Sequence, residues 1–115
     1  MALERDGNRV IAIFRNPSSI LVFDAQNGHV IARAPTCDDA DDVFVDAKRQ
    51  LLYVSCGEGL IDILAEDDVT VRRGRITTVS GARTSLFDPD RDRLYLAVRA
   101  SGCEPAAIWV FRPLP

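Results

Sequence analysis

Asp46-Ala47-Lys48-Arg49-Gln50-Leu51-Leu52-Tyr53-Val54 and Asp88-Pro89-Asp90-Arg91-Asp92-Arg93-Leu94-Tyr95-Leu96 decide the fold, because they align without a gap at a spacing of 42 residues. A further step of 42 places Ile11 under Tyr53, and Glu4-Arg5-Asp6-Gly7-Asn8-Arg9-Val10-Ile11-Ala12 repeats the pattern of polar turn followed by apolar strand. The flanks keep step. Val43-Phe44-Val45-Asp46 lies over Ser85-Leu86-Phe87-Asp88, and Leu60-Ile61-Asp62-Ile63-Leu64 lies over Ala107-Ile108-Trp109-Val110-Phe111 after a longer loop. A period of this length built from short strands is that of a propeller blade. A sandwich of ten short strands is the competing all-β architecture, but it does not require the register.

The expected fold is therefore all-β: a partial β-propeller of about three blades, open as an arc unless closed by oligomerisation. Runs of four to six residues rich in Val, Ile, Leu, Phe and Tyr alternate with Gly, Asp, Asn, Pro and Ser clusters. They place strands near 9–14, 20–24 and 29–34, then near 42–46, 51–55, 60–64 and 69–73, the last running on towards Thr77, and finally near 84–88, 93–98 and 107–111. Gln26-Asn27-Gly28 reads as a type I′ hairpin turn, which needs positive φ at both central residues. One repeat domain spans 1–115, with an incomplete blade at 8–36, a complete blade at 37–78 and an incomplete blade at 79–112.

Composition bounds the function. The 115 residues are 47% hydrophobic and 27% charged, which suits one domain with a core and excludes intrinsic disorder. The longest apolar runs reach five or six residues, where a membrane helix needs about 20. Residues 1–68 carry thirteen acids and six bases and residues 69–115 four acids and eight bases. This asymmetry does not concentrate a basic face, so nucleic acid is not expected as a partner. Complementary ends instead favour head-to-tail contact between copies. The start, MALERDGNRV, lacks a basic segment followed by an apolar stretch of secretory length, so the chain as written is expected in the cytoplasm.

Residues 40–49 with Leu52-Tyr53-Val54-Ser55 and Gly57-Glu58-Gly59-Leu60-Ile61-Asp62-Ile63 resemble bacterial YVTN-type β-propellers of the YncE-like group. Gly81-Ala82-Arg83-Thr84-Ser85-Leu86-Phe87, followed by Arg93-Leu94-Tyr95-Leu96-Ala97-Val98, resembles the next blade of the same proteins, and the likeness covers about residues 8–112. It implies the C-terminal two to three blades of a longer, typically seven-bladed protein that is periplasmic or secreted.

Cys37-Asp38-Asp39-Ala40-Asp41-Asp42 is the densest charge cluster, in a connection on the propeller face that commonly carries ligand sites. Carboxylates suit a hard cation or polar ligand, but the DxDxDG spacing is missing and a solvated acidic loop is the simpler reading. Arg83 and Thr84 follow Asp41 and Asp42 by 42 residues, so an Asp–Arg bridge between blades is expected before a polar pocket. The candidate binding set on these loops is Asp38, Asp39, Asp41, Asp42, Arg83, Thr84 and Arg99. Cys37, Cys56 and Cys103 fall in connections on the same face. Co-location permits a Cys37–Cys56 disulfide in an exported protein or a soft-metal site in a reducing one, although three unrelated thiols is the simpler reading. His29, the only histidine, belongs to a turn on the opposite face. Asp62 is expected to face solvent, and Trp109 to lie in a core or an interface.

No nucleophile–base pair, metal constellation or phosphate loop is readable, so no catalytic residue, metal or cofactor is expected. The expected role is a non-catalytic binding or scaffold module. Its open blade sides invite self-association or missing blades, and its loop surface is left for a ligand. Burying an apolar face of roughly 500 Å² is worth on the order of 12 kcal/mol before ordering costs. The alternative is part of a propeller enzyme, of the quinoprotein dehydrogenase or metal-dependent lactonase kind, whose site needs blades this chain lacks.

Overall fold

The computed structural model describes residues 1–4 and 6–115, so Arg5, in the first turn of the repeat alignment, lies outside the described residues. Among the described residues, eleven strands make three antiparallel sheets. Sheet 1 is β1 (Ala2–Leu3), β2 (Arg9–Phe14), β3 (Ser19–Asp24) and β4 (Val30–Pro35), hydrogen-bonded in chain order. Sheet 2 is β5 (Ala40–Asp46), β6 (Leu51–Cys56), β7 (Leu60–Ala65) and β8 (Arg72–Thr77), again in chain order. Sheet 3 has three strands, β9 (Ser85–Asp88), β10 (Arg93–Val98) and β11 (Ala107–Phe111). None closes into a barrel, and the row of sheets matches an open partial propeller. The leading strands approach one another, β1 and β2 against β5 and β5 against β9.

The 42-residue repeat is visible in the turns. Gln50 and Asp92 both take left-handed φ, 55° and 57°, at equivalent places in the β5–β6 and β9–β10 hairpins. Asp46 and Asp88 start these hairpins and pair with Arg49 and Arg91 three residues on. The Tyr53 hydroxyl donates to the buried Asp46 carboxylate at 2.5 Å, and burial, with that carboxylate, pushes the phenol well above its usual range.

Each sheet presents equivalent side chains to its successor. Tyr53 pairs across strands with Phe44 and Ile63, and these three pack with Ile61 against Phe87, Leu94 and Leu96 of sheet 3. Ile11, Ile20 and Val22 do the same from sheet 1 against Val43, Leu52, Val54 and Leu64 of sheet 2. With both faces covered, β6 is buried along nearly its whole length, as a doubly covered strand must be. Burying one such Leu or Ile contributes about 1.5–3 kcal/mol, so the inter-sheet seams hold the arc together.

Three local expectations need correction. The short β1 pairs Ala2 with Ile11 and Leu3 with Val10, adding a strand to the first repeat ahead of residue 8. The turn after β3 is a five-residue loop in which only Gly28 has positive φ. Asp24 and Asn27 side chains accept from the Gln26 and His29 amides, so the loop closes without the type I′ geometry. The strand expected from 69 begins at Arg72, because Asp68 gathers the Thr70 amide and hydroxyl into a turn and Val69 drops into the core.

Candidate functional site

The acidic loop lies between β4 and β5, at the end of the arc shared with the β2–β3, β6–β7, β8–β9 and β10–β11 connections. It is tied down from three sides. Cys37 and Cys56 are both buried and joined by a disulfide, with a Cα–Cα separation of 5.9 Å. The reading of three unrelated thiols therefore fails for this pair, while Cys103 is exposed and free. Asp39 takes a left-handed φ of 57°, and its carbonyl accepts from the Gly57 amide at 2.8 Å. A Cβ at Gly57 would stand 1.9 Å from an Asp39 carboxylate oxygen, so a side chain there would displace the Asp39 carboxylate.

Arginines from both neighbouring sheets take up the acidic charge. Arg15, at the end of β2, bonds the Ala40 carbonyl at 3.1 Å and Asp41 at 2.6 Å, with Asp39 at 3.5 Å. Arg83, ahead of β9, reaches the other Asp39 oxygen at 2.9 Å. Asp42 accepts from the Ser85 amide at 2.9 Å, and Ser55 donates to the Arg83 carbonyl at 2.8 Å. Asp39, Asp41, Asp42 and Arg83 thus come together as a ladder joining three sheets. Asp38 is exposed, with its amide held by Glu58. Thr84 is exposed and lies apart from the ladder with Arg99, beside a hollow of about 560 Å³ lined also by Ala97, Ala107 and Ile108. The Arg99 guanidinium rests on Gly81, where a Cβ would meet it at 2.8 Å, and it has no ion pair among the described residues.

Asp62 is not solvent-facing. It is 1% exposed and accepts from Arg75 at 2.6 Å and from the Thr36 hydroxyl and the Cys37 amide at 3.0 Å each. Burial pushes its carboxyl up, but the Arg75, Thr36 and Cys37 bonds outweigh this and hold it below the usual range. It is the inner anchor of the acidic loop, and alternation within β7 gives no sign of that. Arg15 is the other residue the sequence reading passed over, although its spacing of 84 from Arg99 marks it as an equivalent position.

Among the described residues no group of three or more His, Cys, Asp or Glu side chains is placed to hold a metal ion. His29 is exposed at the opposite end. What the arrangement offers is surface. Leu86, Ile108 and Val110 are 56%, 61% and 56% exposed on the open side of sheet 3, whereas their counterparts Phe44, Ile61 and Ile63 pack between sheets. Trp109, expected in a core or an interface, stands opposite the buried Leu96 on the edge strand β11 and is 38% exposed. No protein-family model matches the sequence, and no curated protein matches it.

Proposed function

We propose that the chain is a non-catalytic binding module, a three-blade propeller arc of the YVTN type whose open blade sides dock a further β-sheet. A second copy is the occupant available to the purified protein. The observation that carries this is the row Leu86–Tyr95–Val110, with Ile108 beside it. It is register-equivalent to the row Phe44–Tyr53–Ile63 that sheet 2 buries against sheet 3, yet it faces solvent. At the other end Leu3 and Phe14 are exposed in the same way. An arc with two such ends is matched head to tail by another sheet of its own kind. The disulfide supports an oxidising compartment, in keeping with the export that the family resemblance implies.

The test is the double variant Ile108→Asp/Val110→Asp, compared with the unaltered chain by sedimentation velocity over a concentration series. Both positions are exposed, so the variant keeps its β-sheet circular dichroism. Its self-association is expected to fall by at least about tenfold, as two charges on an apolar interface impose a desolvation cost. Unchanged association would remove this face from the account.

A further inference from the structure

Resting on that reading, we infer that the open side of sheet 3 is selective: its occupant is a β-sheet entered through an aspartate-bearing loop, and Arg99 is the residue that reads it. The repeat supplies the comparison. Arg15 and Arg99 occupy the same place in sheets 1 and 3, at the end of the second strand of the repeat, 84 residues apart. Arg15 reaches forward across the seam to Asp39, in the loop that leads into sheet 2, and to Asp41 at the start of β5. Applied to sheet 3, the operation that carries sheet 1 onto sheet 2 gives the place of a docked sheet in register with Leu86, Tyr95 and Val110. Its entry loop then stands over Arg99.

Arg99 is placed for such a contact. Gly81, the counterpart of Asp39, leaves room for the guanidinium to lie flat at the rim of the 560 Å³ hollow. In sheet 2 the pair is reversed, with Asp39 lying over Gly57, the counterpart of Arg99. One member of each pair is charged and the other is glycine. Sheet 2 therefore shows a carboxylate at this end and sheet 3 a cation, and a cation at an apolar docking face asks for an acidic partner. Half-exposed ion pairs of this kind add little affinity but set register and exclude wrong partners.

The test supplies such a loop. The chain is extended ahead of Met1 by a copy of residues 36–42 carrying Cys37→Ser in the copy, which brings Met1-Ala2-Leu3-Glu4 into the register of Val43-Phe44-Val45-Asp46. A control extension replaces each aspartate of the copy with asparagine. Self-association measured by sedimentation equilibrium at low salt is expected to be about fivefold tighter with the aspartate extension. Arg99→Gln erases that difference between the aspartate and asparagine extensions, and high salt erases it as well. Equal association of the two extended chains, or a difference that survives Arg99→Gln, overturns the role of Arg99 while leaving the docking face intact. Monomers at every concentration with either extension overturn the docking reading and this inference together.

Discussion

Asp62→Asn tests how far the acidic loop depends on one buried carboxylate. The substitution preserves shape but removes the charge and puts an amide NH₂ where one oxygen was. Asp62 receives four hydrogen bonds, from the Arg75 Nε and Nη2, the Thr36 hydroxyl and the Cys37 amide. Asparagine has one oxygen to offer these donors. If that oxygen keeps Thr36 and the Cys37 amide, the amide nitrogen confronts Arg75, which is 38% exposed and turns to water. The loss is then one or two charge-assisted bonds, about 2–3 kcal/mol. Asp62→Leu also strands the buried Cys37 amide and costs about 3–5 kcal/mol. Urea unfolding followed by the fluorescence of Trp109, the single tryptophan, reads both. The pH dependence carries an independent sign. Asp62 titrates lower in the folded chain than in the unfolded one, so its contribution is complete above the unfolded carboxyl value of about 3.9 and is lost as pH falls through the folded value. The unaltered chain is expected to lose part of its stability in that acid window, and Asp62→Asn to lose less. A cost for Asp62→Asn below about 0.5 kcal/mol, or an identical acid limb for both proteins, would refute the anchoring role.

Three further outcomes follow from the same geometry. Removing the bond between Cys37 and Cys56, which are 19 residues apart, by the double Ser variant is expected to cost about 3 kcal/mol of unfolding free energy in urea; a loss within error of zero would mean the loop is held by its hydrogen bonds alone. Arg15→Ala is expected to cost less than about 1 kcal/mol, since its pairs with Asp39 and Asp41 are half exposed, and a cost of several kcal/mol in thermal unfolding would contradict that. Ultraviolet titration should find the Tyr53 phenol still protonated at about pH 11, above the ordinary phenol value, because Tyr53 is buried against Asp46; Tyr53→Phe should remove that resistant phenol from the spectrum.

The repeat made the sheets legible. Tyr53 over Tyr95 fixed the register, and that register reappears in the left-handed Gln50 and Asp92 and in the Asp46–Arg49 and Asp88–Arg91 pairs. Cross-seam chemistry was much less legible. Strand alternation shows that Asp62 and its neighbours point to opposite faces, but not that both faces of sheet 2 are covered, so its burial under Thr36 and Cys37 had no sequence signal. The Arg83–Asp39 pair was within reach because the two loops share a repeat position. Arg15 needed a comparison across two repeats, through Gly57, to be noticed. At Gln26-Asn27-Gly28, hydrogen bonds from the Gln26 and His29 amides to the Asp24 and Asn27 side chains replaced one of the two positive-φ residues expected of the turn. The length of β1 escaped notice because a two-residue strand carries no periodicity.

The most direct test of the open-face account is the solution mass of the unaltered chain, measured by light scattering over a concentration series with and without reductant. Masses that climb with concentration towards discrete multiples of the 115-residue chain are the predicted result. A single monomeric mass up to millimolar concentration, with the protein folded throughout, would contradict it and would mean that Leu86, Ile108 and Val110 are tolerated in water without a partner.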